Sequence, residues 1–255
     1  MPERITSRAN PVCTHFRKLA SSRSCRQEAG EFLCDSPKLL EEALLWGADI
    51  LTVLYTEGAR LPAALDTSGA RLAEVSESVM RSVSPMETPQ GVVFSCRAAA
   101  RCLPERLAPG RYLVLDGIQD PGNVGTILRT ADAFDCGGLF LLPGCADLYN
   151  PKTLRAAMGV HFRRALYPCG LEELTALLAA ASIPLYAAAL GENTLDVREA
   201  ELSRAAVVIG SEGRGVSPPV LERCEKTLKI PMSPHCESLN AAVAAAVVLW
   251  EGYRG

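Results

Sequence analysis

One segment of the sequence places polar side chains directly after a short apolar run, where a parallel sheet would bind a ligand. In LDGIQDPGNVGTILRTADAF (115–134), Asn123 stands near the start of a predicted helix and Arg129 lies further along its polar side. The carboxyl end of a strand is where open α/β sheets bind ligands. Apolar residues at helical spacing predict the face that packs on the sheet: Val124, Ile127, Leu128 and Ala131.

A plainer interpretation of the same residues is structural. Asn123 would cap the helix and Arg129 would be a solvated helix residue, and for an arbitrary strand–helix unit this interpretation would be preferred. This segment alone therefore does not indicate a ligand-binding site, and a second feature of the sequence is required.

A glycine-rich loop supplies that feature. VVIGSEGRGVSP (207–218) is an apolar strand followed by Gly-x-x-Gly-x-Gly, with Glu212 between Gly210 and Gly213. The spacing matches neither the dinucleotide fingerprint nor a Walker loop. Glycines at these positions allow tight turns and a close approach of the backbone to a ligand.

The third segment, IPMSPHCESLNAAVAAAVVLWEGYR (230–254), combines two polar residues with a run of alanines. We predict that Ser238 caps the following helix and forms a polar pair with Asn240 at its start. The alanines give that helix a small-residue surface for close packing against backbone or another subunit.

The composition describes an ordinary globular protein. Of 255 residues, 48% are hydrophobic and 22% are charged, and the formal net charge is −3, which excludes disordered and fibrous classes and gives no indication of nucleic acid. The first 26 residues are basic, with one acidic residue, Glu3. Such a run is typical of a solvated, mobile terminus, and attraction to phosphates is the functional alternative. Its basic residues are Arg4, Arg8, Arg17, Lys18, Arg23 and Arg26.

Cysteine spacing and hydropathy limit the other classes. None of the ten cysteines forms a Cys-x-x-Cys pair, so we expect neither a zinc site nor a disulfide framework. The longest apolar stretch, Ala241 to Trp250, is too short to cross a bilayer, and no signal peptide is visible. We expect a cytoplasmic protein with no metal and no membrane association.

Hydrophobic periodicity predicts an α/β chain. A βαβ unit at 112–142 implies parallel strands. The predicted helices are Pro37–Trp46, Val124–Phe134, Leu171–Ala181 and Leu239–Tyr253. The predicted strands are Ile50–Tyr55, Leu72–Val75, Gly91–Phe94, Tyr112–Leu115, Leu139–Leu142, Leu185–Ala189, Val207–Ile209 and Leu228–Ile230.

Taken together, the three segments closely resemble the motifs of the SpoU (TrmH-like) branch of the SPOUT RNA methyltransferases. Asn123, Gly125 and Arg129 match the first motif, Gly-Ser-Glu-Gly at 210–213 the second, and Ser-Leu-Asn at 238–240 the third. NPKTLRAAMGVHFR (150–163) resembles a further family segment, although Asn150 and Ala157 replace its usual serines.

The N-terminal part also resembles the substrate-binding domain of many such enzymes, a small α/β fold like that of certain ribosomal proteins. Family members commonly carry an acidic-glycine pair where this sequence has Cys34, Asp35 and Ser36. The resemblance implies an RNA-binding domain at 1–98, a linker at 99–110, and at 111–255 a parallel-sheet methyltransferase domain with a deep trefoil knot, which forms a homodimer.

By the same resemblance, the cofactor is S-adenosylmethionine and the reaction is methylation of a ribose 2'-hydroxyl. The implied catalytic residues are Asn123, Arg129, Glu212, Ser238 and Asn240. The implied cofactor-binding residues are Gly210, Ser211, Gly213, Ile230, Met232, Ser238 and Leu239. The RNA-binding candidates are Arg8, Arg17, Lys18, Arg23, Arg26, Lys152 and Arg155.

Roles follow from the chemistry of these side chains. A guanidinium is always protonated and makes a poor base, so we predict that Arg129 binds an RNA phosphate and stabilises developing alkoxide charge. Asn123 would position the ribose, and Glu212 would hold either Arg129 or Asn123. The favoured substrate is 23S-type ribosomal RNA. The alternatives are transfer RNA, a catalytically inactive RNA-binding protein of the same fold, and a nucleotide-dependent oxidoreductase, which would need a different glycine fingerprint.

Overall fold

A computed structural model describes residues 3–191, 194–236 and 238–254. The chain forms two compact units. The first unit contains residues up to Ala100 together with 147–163, and the second contains 101–146 and the chain from 164 onward. The predicted domain division placed 147–163 in the C-terminal domain, whereas the contacts of these residues group them with the first unit.

The first unit contains a mixed five-stranded sheet in the order β1-β4-β3-β5-β2, in which β5 is antiparallel to both of its neighbours. The predicted elements of this unit are present with shifted ends. The strands are β1 (Glu3–Ile5), β2 (Glu31–Asp35), β3 (Ile50–Thr56), β4 (Arg71–Val75) and β5 (Val92–Arg97). The helices are α1 (Pro11–Ser21), α2 (Arg23–Ala29), α3 (Pro37–Leu45) and α4 (Glu77–Val83), with a 3-10 turn at Ala63–Thr67.

The basic N-terminal segment is folded, and the interpretation as a solvated, mobile terminus is wrong. Asn10 caps α1 by accepting a hydrogen bond from the amide of Val12 at 2.9 Å, and a proline follows the cap, where its missing N–H costs nothing. The apolar face of α1 is fully buried at Cys13, Phe16 and Leu19. Its basic residues lie between these positions and were the more visible signal in the sequence.

Residues 147–163 complete the core of the first unit. The ring of Tyr149 stacks on Phe32 with 4.5 Å between centroids, and Leu154 is buried in the same cluster. Arg26, which is 5% exposed, is ion-paired with Asp147 at 2.6 Å. These apolar and ionic contacts are the physical reason that 147–163 groups with the first unit.

The second unit contains a seven-stranded sheet in which every pair of neighbours is parallel. The remaining strands are β6 (Tyr112–Asp116), β7 (Gly138–Leu141), β8 (Leu166–Pro168), β9 (Leu185–Ala188), β10 (Thr194–Asp196), β11 (Ala206–Gly210) and β12 (Lys226–Lys229). The remaining helices are α5 (Pro121–Ala133), α6 (Pro151–Ala157, in the first unit), α7 (Leu171–Ala180), α8 (Pro218–Leu221) and α9 (Ala241–Arg254), with a 3-10 turn at Val160–Phe162.

The strand order β10-β12-β9-β11-β6-β7-β8 determines where a site can form. From β6 the chain runs outward to β7 and β8, and it then returns to the other side, where β11 lies against β6. The carboxyl ends of β6 and β11 therefore flank a topological switch point, the usual ligand crevice of such sheets. Gly210 is paired with Asp116 there, at the last position of both strands.

Helix α5 buries the face that its spacing predicts, with Val124, Ile127, Leu128 and Ala131 all inaccessible to solvent. It packs against α9, whose alanines allow close approach. Within the described ranges, none of the helices combines the length and the hydropathy that a membrane span requires.

Candidate active site

The start of α5 fixes the position of Asn123. The Asp120 carboxylate accepts a hydrogen bond from the backbone amide of Asn123 at 2.8 Å, so the helix cap is Asp120. The alternative in which Asn123 itself caps the helix is therefore wrong. Its side-chain amide is left to make other contacts at the carboxyl end of β6.

The glycine loop after β11 forms a closed turn. Ser211 and Gly215 exchange two backbone hydrogen bonds, of 3.1 and 2.8 Å, and the amide of Arg214 donates to the Ser211 hydroxyl at 3.3 Å. A β-carbon at Gly210 would lie 2.1 Å from the carbonyl carbon of Gly215, so the turn requires glycine there. The turn presents Glu212 to solvent.

Three side chains from different motifs meet in one hydrogen-bonded chain. The Asn123 amide nitrogen donates to the Glu212 carboxylate, and the Asn240 amide nitrogen donates to the Asn123 oxygen at 3.1 Å. Both ends of the Asn123 amide are thereby held, which fixes its orientation. One N–H and one lone pair of that amide are left for a ligand.

Asn240 also caps α9, a role that the sequence analysis assigned to Ser238. The Asn240 side-chain oxygen accepts from the amides of Ala242 at 2.9 Å and Val243 at 3.3 Å. The helix consequently begins at Ala241 and not at the predicted Leu239. The cap prediction for Ser238 is wrong because that residue stands too far before the first helical turn.

Arg129 lies outside the hydrogen-bonded chain. It is exposed on α5, and within the described part of the chain its guanidinium has neither a hydrogen-bond nor an ion-pair partner. Two partners were predicted for Glu212, Arg129 and Asn123, and the structure shows the hydrogen bond with Asn123. Arg129 is open to an external ligand.

A cavity of about 370 Å³ lies beside this chain of side chains. Of the predicted cofactor-binding residues, six line it: Gly210, Ser211, Ile230, Met232, Ser238 and Leu239. Gly213 does not. Lining residues that the sequence analysis missed include Ala188, Ala189, Leu190, Gly215, Ala241 and Ala244.

Three of the missed wall residues lie at the end of β9, which is between β11 and β12 in the sheet: Ala188 is the last residue of the strand, and Ala189 and Leu190 follow it. Their apolar character was visible in the sequence, but their place beside the glycine loop depends on strand order. The volume and the mostly apolar wall suit a nucleoside-sized ligand with an aliphatic arm. The carboxylate of Glu212 at one wall suits a ligand with positive charge, so the residues present fit S-adenosylmethionine.

The predicted RNA-binding residues differ in exposure and in their internal partners. Arg8, Lys18, Arg23 and Lys152 are exposed, whereas Arg17 is half-buried and donates to the Arg8 carbonyl and to the hydroxyl of Thr14, each at 3.0 Å. The structure places the other two in ion pairs of the first unit.

Those two are Arg26, which is buried against Asp147, and Arg155, which lies 3.5 Å from Asp35. Burial raises the pKa of the Asp35 carboxyl, and Arg155 opposes this by favouring the charged form. Arg26 is buried in its ion pair, whereas Arg155 is partly exposed beside Asp35.

The fold and site define an α/β enzyme with a nucleoside-sized cavity at the switch point of a parallel sheet. Residues 110–250 match the SpoU rRNA Methylase family, and residues 10–93 match the MRM3-like substrate binding domain. The chain belongs to the SpoU rRNA methylase family.

Similar proteins cover nearly the whole chain. It is 34% identical to the 23S rRNA (guanosine(2553)-2'-O)-methyltransferase RlmP of Bacillus subtilis, over 97% of this chain and 98% of that protein. It is 30% identical to the 23S rRNA (uridine(2479)-2'-O)-methyltransferase of Streptomyces viridochromogenes, over 98% and 92%.

The crystal structure of an AdoMet-bound rRNA methyltransferase from Sinorhizobium meliloti superposes with a TM-score of 0.88 at 29% identity, covering 99% of this chain and 97% of that one. The predicted family, parallel α/β fold class, enzyme class and cofactor are confirmed.

Proposed function

We propose that this chain methylates the 2'-hydroxyl of one ribose in 23S-type ribosomal RNA. The observation that carries the proposal is the set of hydrogen-bonded side chains Asn240, Asn123 and Glu212 at the edge of the cavity. The relatives that act on 23S rRNA over nearly the same length support ribosomal RNA as the substrate.

The cavity would hold S-adenosylmethionine, which supplies an electrophilic methyl group when bound. The protein must then align the ribose oxygen and accommodate the loss of its proton. Asn123, held at both ends of its amide, would use its remaining N–H and lone pair to orient the ribose. Glu212 and Asn240 are positioning residues for Asn123.

Arg129 would bind the RNA phosphate next to the target ribose and stabilise the developing alkoxide. It is exposed on α5, the helix that also carries Asn123, and has no internal partner among the described residues. A guanidinium keeps its proton, so its contribution is electrostatic, with two parallel N–H donors suited to a phosphate.

The first unit would contribute general affinity for RNA through its exposed basic residues, Arg8, Lys18, Arg23 and Lys152. Arg17 can add to this from its half-buried position. We leave Arg26 and Arg155 out of the RNA surface because their guanidinium groups are committed to carboxylates.

We further propose a cytoplasmic homodimer formed through the second unit, with the C-terminal strands and α9 threaded into a trefoil knot as in related SPOUT enzymes. Helix α9 exposes Val243, Trp250 and Tyr253, each about half accessible. Exposed large apolar side chains on one helix are typical of an interface between copies. Sedimentation should show a dimer at micromolar concentration, and a monomer there would contradict the proposal.

The decisive experiment maps 2'-O-methylation across total RNA from cells with and without this gene, because a methylated linkage resists alkaline cleavage. We expect one position in 23S-type rRNA to lose its methyl group in the deletion strain. Loss of a methyl group at a transfer RNA position would identify transfer RNA as the substrate instead. No change at any position would overturn the proposal. In that case, binding of RNA without binding of S-adenosylhomocysteine by the purified protein would establish a binding-only role.

A further inference from the structure

Arg214 is a charged residue that the reaction as proposed leaves unused. It lies in the turn closed by Ser211 and Gly215, two positions after Glu212. The turn holds its backbone, since the Arg214 amide donates to the Ser211 hydroxyl. Its side chain is exposed, and among the described residues the guanidinium has no hydrogen-bond or ion-pair partner.

This lack of a partner separates Arg214 from most arginines of the second unit. Beyond residue 110, the described arginines of that unit that donate to a carboxylate or carbonyl oxygen are Arg111, Arg164, Arg198, Arg204, Arg223 and Arg254. Arg129 and Arg214 are the two in that stretch that do not. They lie on the two elements that the hydrogen bond from Asn123 to Glu212 joins.

We propose that Arg214 binds a second backbone phosphate of the RNA, next to the target nucleotide. The inference rests on the proposed function, because every internal ribose of an RNA strand has a phosphate on each side. Arg129 on α5 would bind one of these phosphates, and Arg214 on the glycine turn the other. The two contacts together fix the direction and register of the strand across Asn123.

The ligand of Arg214 should differ from the cofactor, because Arg214 does not line the cofactor cavity. Glu212 and Gly215, on either side of Arg214 in the turn, line the cavity, and Arg214 does not. Replacing Arg214 should therefore weaken RNA binding while leaving cofactor affinity unchanged.

The test compares Arg214→Met with Arg204→Met. Arg204 is an exposed arginine just before β11 in the same unit, and its guanidinium donates to the Ala181 carbonyl at 2.9 Å. The substrate is 23S rRNA purified from cells lacking the gene. The measurements are KM for RNA and kcat with labelled S-adenosylmethionine, the salt dependence of kcat/KM, and the Kd of S-adenosylhomocysteine.

We expect Arg214→Met to raise KM for RNA about tenfold with kcat unchanged, and to reduce the slope of log kcat/KM against log salt by about 0.7, the value for one phosphate on a single strand. Arg204→Met should leave all four measured quantities unchanged. Arg214→Lys should keep the salt slope and recover part of the affinity, because lysine keeps the charge and loses the planar fork.

Equal behaviour of Arg214→Met and Arg204→Met would overturn the inference. A fall in kcat without a change in KM, or weaker binding of S-adenosylhomocysteine, would also overturn it, since either result would show that Arg214 only supports the turn. A wild-type protein that neither methylates the rRNA nor binds S-adenosylhomocysteine would instead overturn the proposed function.

Discussion

The amide of Asn123 donates a hydrogen bond to the carboxylate of Glu212, although 89 positions separate the two residues in the chain. The bond exists because β6 and β11, which precede these residues, are neighbours in the sheet. It joins the first motif to the second, and the contact of Asn240 with Asn123 adds the third.

Replacement of Glu212 tests whether this bond orients Asn123. Glu212→Ala should lower kcat about 100-fold, because a misplaced positioning group costs about that much. Glu212→Gln keeps an acceptor oxygen and should lose only about tenfold. The measurement is single-turnover methyl transfer, with the exposed Glu222→Ala as the control. If the glutamine variant were as inactive as the alanine variant, the carboxylate charge and not the orientation would be the important property.

Arg129→Lys tests the requirement for a planar guanidinium. We expect kcat to fall at least about tenfold, since a lysine ammonium does not reproduce two parallel donors. Arg223→Lys is the matched control, because Arg223 is an exposed arginine of the same unit that is paired with Glu172. Near-normal turnover of Arg129→Lys would contradict bidentate recognition of the phosphate.

Replacement by alanine should destabilise the protein at Gly210 and have no effect at Gly213, although both glycines lie in the same loop. At Gly210 the new β-carbon would be 2.1 Å from the Gly215 carbonyl carbon, so Gly210→Ala must displace the turn. We expect a loss of at least about 3 kcal/mol in the free energy of unfolding and no detectable binding of S-adenosylhomocysteine. Gly213→Ala meets nothing within 4 Å and should behave like wild type in calorimetry.

Ser36 offers a stabilising substitution. Its φ of 104° and ψ of 145° lie in a region that only glycine adopts without strain. Ser36→Gly should raise the free energy of unfolding by about 1 kcal/mol, because glycine costs only a few tenths as a helix cap. Ser22 caps α2 at a φ of −117°, so Ser22→Gly should not stabilise. Equal melting temperatures for the two variants would refute the strain.

Breaking the ion pair of Arg26 and Asp147 should lower the free energy of unfolding far more than breaking a surface ion pair. Asp147→Ala leaves a guanidinium that is 5% exposed without its counter-charge, and we expect a loss of about 3–5 kcal/mol. Glu3→Ala breaks the exposed pair with Arg71 and should leave the free energy of unfolding nearly unchanged, because solvent screens that pair. Urea unfolding of both variants measures the difference, and similar midpoints would contradict it.

Local patterns in the sequence were sufficient for the motifs and for the buried face of α5. Helical spacing identified Val124 and Ile127, and the glycine loop identified Gly210 and Glu212. These features depend on a few adjacent residues, which a sequence displays directly.

Features that depend on distant partners were not predictable. Nothing near Arg26 indicates that Asp147 neutralises it, so a basic run looked like a surface. Ala188 lines the cavity only because β9 lies between β11 and β12. The cap of α9 was assigned to Ser238, two residues before Asn240, because both types cap helices well.

The return of residues 147–163 to the first unit affects the order in which the protein can fold during synthesis. Domains generally fold as the ribosome releases them from the N-terminus onward. Here the first unit still lacks Leu154 and the counter-charge of Arg26 when residue 100 emerges. It must wait until residue 163 has emerged from the ribosome, and β6, α5 and β7 of the second unit emerge before that residue does.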